Sequence, residues 1–312
     1  MRLLASFCFL LQAAQLSGDV RLPSYSRSVL PNGLVLSIMP RKDVPLVTMR
    51  VVVKGGGESE PAELSGLSDV TAEMLRHGTE SRSAEEFSRE LDSLGATFDA
   101  ESNDQATVIE MEFLSKDFDK GMDLLLDAVT RPNFPEAEAG KVLARRVDGA
   151  RAMKDNPGAA AAQYYRSFFY GPGHPYGRPA DELSYARINR KHVADYHERM
   201  YVGQNMIVAV VGDVSSEAAS KLREALEKTP AGQGYQWKKV DAQKQDSSRL
   251  AIVNKPDATQ TYFYIGQPGI QRNHPDRVAL WLVNTLFGGR FTSMLNQELR
   301  VDSGLTYGAR SY

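Results

Sequence analysis

The chain has 312 residues, enough for one large or two medium domains with a real core. At 42% hydrophobic and 24% charged residues, its composition is that of a soluble globular protein. Its 37 Lys and Arg against 39 Asp and Glu leave a net charge of -2, which offers no electrostatic basis for nucleic acid or an acidic membrane surface as partner.

The opening stretch MRLLASFCFLLQAAQLSG has one Arg, an apolar run from Leu3 to Leu11, then small residues. That is the pattern of a secretory signal peptide over residues 1–18, too short to span a bilayer. Cys8, the single cysteine, lies inside it. The mature chain would then have no disulfide, thiol nucleophile or Cys metal ligand. These features predict an exported protein of the bacterial periplasm or envelope.

Residues 19–31 read as a polar lead-in. After the turn Pro31-Asn32-Gly33, residues 34–39 alternate as a strand, and residues 44–54 form a second, β-branched strand. The triplet Gly55-Gly56-Gly57 lacks the layout of a phosphate loop and reads as a turn. Residues 66–79, GLSDVTAEMLRHGT, place Leu67, Val70, Met74 and Leu75 at helical spacing. Asp69, Glu73 and His77 recur every four residues, so a helix here lines them up on one face. His77 reads as a cation near the helix C terminus.

Ser83 with Glu86 forms a capping-box signal for a helix over 83–94, closed by Gly95. Strands are predicted around Phe98 and over 106–114, and helices over 116–130, 135–154 and 159–169. The turn His174-Pro175-Tyr176-Gly177 reads as structural. A helix over 191–200, a buried strand over 205–211 and a helix over 216–228 complete the first domain, residues 28–230. His192, His197 and His274 read as isolated surface residues. Residues 231–247 are polar and read as a linker. The second domain, 248–312, opens with strands over 250–254 and 259–266 and helices over 275–287 and 291–299, joined by Gly288-Gly289. A strand is expected from Leu305. This order repeats the start of the chain, which implies a duplicated domain whose second copy is incomplete.

Seven stretches carry a resemblance. They are LPNGL (30–34), GLSDVTAEMLRHGT (66–79), FPEAEAGKVLARRV (134–147), KDNP (154–157), HPYGRP (174–179), YVGQNMIVAVVGDV (201–214) and GGRFTSMLNQELRVDSGLTYG (288–308). Collinear over residues 28–312, they resemble the inverzincins, the pitrilysin/insulysin-type metallopeptidases, which include mitochondrial processing peptidase and the core proteins of the bc1 complex. The resemblance implies an α+β fold of duplicated processing-peptidase-like domains, each a mostly antiparallel sheet with helices on one face.

That family's chemistry uses H-x-x-E-H on a helix: two imidazoles bind zinc, the Glu is the base, and a distant Glu completes the metal shell. Here the first His position falls on Asp69, the base on Ala72, the second His on Glu73, and the distant Glu on Gly149, beside Asp148. No ligand or base remains, so the resemblance points to the non-catalytic subunits. Asp69 and Glu73 read as solvated or internally paired carboxylates; the alternative is a relic oxygen site for a hard cation that includes Asp148. The resemblance also implies that Arg300 and Tyr307 hold the backbone of a peptide substrate. Pattern alone would instead pair Arg300 with Glu298 or Asp302 and place Tyr307 in a sheet. The expected partner is a sister subunit bearing H-x-x-E-H and zinc. The alternatives are a purely structural homologue of the bc1 core-protein type and an enzyme with an unusual metal at Asp69 and Glu73.

Overall fold

The computed structural model describes residues 23–240 and 247–312. The expected leader and residues 241–246 of the expected linker lie outside the described residues. The chain divides into two compact units, one ending at Tyr262 and the other starting at Phe263.

The first unit is built on six strands: β1 (Ser26–Val29), β2 (Val35–Pro40), β3 (Leu46–Lys54), β4 (Thr97–Ser102), β5 (Ala106–Leu114) and β6 (Met206–Gly212). Their order is β1-β2-β6-β3-β5-β4. Only β2 and β6 run parallel; the other pairs are antiparallel. Period-two alternation separates the two faces. Val47, Met49, Val51 and Val53 of β3 are buried, as are Ile109, Met111 and Phe113 of β5. On the opposite face Arg50 pairs with Glu110, its direct cross-strand neighbour. A one-residue slip would exchange the faces, so this alternation sets the register.

The helices cover the buried face. They are α1 (Leu67–Met74), α2 (Ala84–Leu94), α3 (Phe118–Thr130), α4 (Glu136–Met153), α5 (Pro157–Tyr170), α6 (Glu182–Arg187), α7 (Arg190–Met200) and α8 (Ser216–Glu227). One core joins Leu67, Val70 and Met74 of α1 with Leu124 and Leu125 of α3 and Leu222 and Leu226 of α8. The expected capping box of α2 is present, with Ser83 Oγ accepting from Glu86 N and Glu86 returning to Ser83 N. The glycine triplet presses the end of β3 onto the β4–β5 turn. A Cβ on Gly56, whose φ is +49°, would stand 2.1 Å from the Asn103 carbonyl oxygen.

Several elements differ from the sequence reading. β1 lies within the expected lead-in; a short polar strand has no distinctive period, and its partner β2 is what orders it. Helix α1 stops at Met74, so His77 lies beyond it. Tighter three-residue bonds, Leu75 N to Ala72 O and His77 N to Met74 O, wind the chain down instead. His197 is not a surface residue. It packs between Phe134 and Tyr201, donates from Nε2 to the Val129 carbonyl at 2.8 Å, and burial pushes its pKa down to about 4.

In the second unit α9 (Arg277–Phe287) is followed by Gly288-Gly289 and by a short helical turn, Met294–Asn296, that widens into a π-helical stretch over Gln297–Asp302. The strands expected over 250–254, over 259–266 and from Leu305 do not form among the described residues. A strand exists only through its ladder partners, and alternating apolar residues cannot supply them alone. Leu250, Ile252 and Ile265 accordingly stay 83%, 83% and 91% exposed. No helix among the described residues is long and apolar enough to cross a membrane.

One polar group holds the first unit's helical layer. Asp127 of α3 is wholly buried and accepts from Thr79 Oγ1 (2.5 Å), Ser81 Oγ (2.5 Å), Arg82 Nη1 (2.7 Å) and Arg131 Nε (2.9 Å). Burial alone would raise its pKa, but the hydrogen bonds outweigh burial and hold the carboxyl below its ordinary range. The stability it contributes is therefore present above the unfolded aspartate value and fades as the pH falls below it. Asp127→Ala should cost on the order of 3 kcal/mol in urea denaturation at neutral pH, with the deficit shrinking below about pH 4.

Candidate functional site

The chemistry-bearing helix is α1. Gly66, at φ +95°, turns the chain into it. Its first N–H groups are capped by a carboxylate from outside the helix: Glu60 accepts from Gly66 N at 2.8 Å, Ser68 N at 2.7 Å and Ser68 Oγ at 2.5 Å. Negative charge is favoured at this end of a helix. Burial pushes the Glu60 pKa up all the same. Ser102 Oγ extends the network by donating to Ser68 Oγ at 2.9 Å.

Asp69 and Glu73 are one turn apart on α1, and α4 packs beside them. Between them lies the Arg146 guanidinium from α4. Its Nη1 is 2.7 Å from Asp69 Oδ2; its Nη2 and Nε are 2.7 Å and 2.8 Å from Glu73 Oε2. Arg145 donates to the second oxygen of Glu73. Burial pushes the Asp69 pKa up; Arg146 opposes that, while Glu73 and Glu101 reinforce it. Burial also works against the charge on Arg146, but Asp69 and Glu73 prevail and keep the guanidinium charged. Tyr185 of α6 stands beside the group, its phenol pushed up to about 12 by burial and then by Asp69.

Ala72 is fully buried, a methyl in the core. Gly149, further along α4, faces open space, with no atom within 4 Å of where a Cβ would be. Asp148 is exposed and pairs with Arg151 at 3.5 Å, so it does not join Asp69 and Glu73. His77 pairs with Glu138 at 3.4 Å. Among the described residues no three His, Cys, Asp or Glu side chains converge as metal ligands would.

The arrangement lacks the groups with which a zinc peptidase activates water. There is no imidazole to bind the metal softly and no group at Ala72 to take a proton. The two available carboxylates are already paired with guanidinium groups. The residues present at α1 do not fit zinc.

In the second unit Arg300 and Tyr307 come together. The guanidinium carbon of Arg300 lies 4.7 Å from the Tyr307 ring centre and 4.6 Å from that of Phe291. Tyr307 is 85% exposed and stands outside any strand. Asp302, a candidate partner for Arg300 on pattern alone, instead accepts from Gln297 Nε2 at 2.8 Å.

Arg146 and Arg145 escaped the sequence reading. The signal was available: two adjacent cations in LARRV sit in the segment that aligns with the family's distant ligand. Charge complementarity to D-x-x-x-E on the facing helix would have pointed to them.

Two family models match this chain: the insulinase family, peptidase family M16, over residues 38–162, and the peptidase M16 inactive domain over residues 187–312. The chain belongs to peptidase family M16. An uncharacterized zinc protease of Rickettsia felis is 25% identical over 296 residues, covering 93% of this chain and 70% of the relative. One from Mycobacterium tuberculosis is 28% identical over 300 residues, covering 91% of this chain and 66% of the relative. This M16 chain thus spans about two thirds of the length of the curated relatives it matches. Among solved structures, an M16 inactive-domain protein of Pseudomonas fluorescens superposes with a TM-score of 0.79 at 23% identity, covering 91% of this chain and 69% of that one. A protease of Helicobacter pylori gives 0.78 at 24%, covering 93% and 71%. These likenesses carry the fold, and they agree with the α+β architecture read from the sequence.

The raised Asp69 pKa has a sign that can be checked. A carboxyl whose folded pKa exceeds its unfolded value of 3.8 binds more protons in the folded state. Stability is then lost as the pH rises through that interval. Asp69→Asn should gain on the parent chain as the pH rises from about 4 to 7, measured as paired urea midpoints.

Proposed function

We propose that this chain is the non-catalytic subunit of a two-chain zinc peptidase. The single observation that carries the reading is the Arg146 guanidinium seated between Asp69 and Glu73, with a buried methyl at Ala72. A helix at which the family places metal and base is here closed by an internal ion pair. The metal, its H-x-x-E-H helix and the base belong to a sister subunit. This chain supplies part of the chamber wall and two substrate contacts.

Those contacts are Arg300 and Tyr307. Arg presents a planar fork of donors and Tyr a phenol donor, both suited to carbonyl oxygens of an extended peptide. Their stacking supports the role, because a stacked guanidinium is held in orientation before the peptide arrives. The substrate class is unfolded peptide gripped in extended form. The leader-like opening stretch supports export to a bacterial periplasm or envelope.

A second reading is a purely structural subunit. The observation favouring it is the same stack, since Phe291 and Tyr307 also satisfy Arg300 as a packing element.

Mixing this chain with the sister subunit should create peptidase activity that neither shows alone; full activity of the sister by itself would overturn the proposal. In the assembled complex, Arg300→Ala with Tyr307→Phe should lower turnover by about 100-fold if the pair positions substrate. Unchanged turnover would select the structural reading.

A further inference from the structure

We propose that Arg146 is a resident cation that has taken the place of a metal on α1, so that Asp69 and Glu73 form a guanidinium-receiving site. The inference concerns this chain alone and does not depend on the proposed pairing with a zinc-bearing subunit.

The geometry carries it. Three nitrogens of one planar guanidinium lie against two carboxylates on successive turns of a single helix: Nε donates to Glu73 Oε2 at 2.8 Å, Nη2 stands 2.7 Å from the same oxygen, and Nη1 forms an ion pair with Asp69 Oδ2 at 2.7 Å. A lone ammonium or a spherical ion cannot reproduce that fork. Asp69 and Glu73 stand at a spacing where like charges repel along a helix, and the guanidinium between them relieves that repulsion. Arg146 supplies one charge, and Arg145 on Glu73 supplies the second. Arg146 and Arg145 thus offset the charges of Asp69 and Glu73, and Glu101 is the further anion that acts on Asp69. The bridge also ties α1 to α4, which is the structural role that a metal shared between these helices would otherwise serve.

Two consequences follow from the chemistry. First, restoring the ligand positions alone does not restore a metal site, because Arg146 still projects into it and a cation there repels zinc. Second, deleting the guanidinium leaves a carboxylate-lined vacancy that a free guanidinium can fill.

The test uses the whole chain and thermal melting. Arg146→Ala should lower the melting midpoint by about 5 °C. Guanidinium chloride at about 50 mM, far below its denaturing range, should recover at least half of that loss, while equimolar sodium chloride should not. Equal recovery by both salts, or no loss on substitution, overturns the proposal. Should Arg146→Ala fail to fold, the triple variant Asp69→Asn, Glu73→Gln, Arg146→Met removes the charges together and should fold; failure of that variant as well overturns the proposal. Equilibrium dialysis with zinc gives a second readout: stoichiometric zinc on the parent chain overturns the proposal, and so does stoichiometric zinc on Asp69→His, Ala72→Glu, Glu73→His, Gly149→Glu with Arg146 in place, since binding is expected there only once Arg146 is also replaced.

Discussion

The contact between α1 and α4 through Asp69, Arg146 and Glu73 is the constraint on which this protein's character depends. Two half-buried carboxylates one turn apart would be costly if left unpaired. A guanidinium set between them, two nitrogens on Glu73 and one on Asp69, makes the arrangement tolerable without any bound ion. The same guanidinium engages the two carboxylates that stand where the family places metal ligands.

The rest of the first unit is arranged so that this helix pair can form. The sheet offers a single apolar face, and α1 lays Leu67, Val70 and Met74 on it. Its remaining face, bearing Asp69 and Glu73, is thereby turned toward α4. Glu60 holds the N-terminal end and the buried Asp127 network holds the loop that follows. Asp127 is buried and Glu60 partly so, each with its partners present, which is the condition under which buried polarity specifies a position.

Much of the sheet layer was legible in advance. Alternation over residues 44–54 and 106–114 reports a strand with one wet face, and such alternation is local. The capping box at Ser83 and Glu86 is likewise a four-residue signal with a short-range cause. Other features were out of reach for the same reason. β1 is a strand only because β2 lies beside it. The end of α1 three residues before His77 lies where the backbone passes into three-residue bonds, which side-chain spacing does not report. His197 became an interior residue because Phe134 and Tyr201 close on it.

What the sequence by itself determined is the absence of imidazoles and of a base at positions 69, 72 and 73, because side-chain identity needs no fold to be read. Helix and strand periods were determined in the same way. Only the tertiary structure decided what stands in the vacated place. Arg146 and Glu73 are 73 residues apart in sequence, and their meeting depends on how two helices pack across a common sheet. It also decided that residues 250–266 carry a strand-like pattern without a strand, since a pattern can be read from one segment but a ladder requires two.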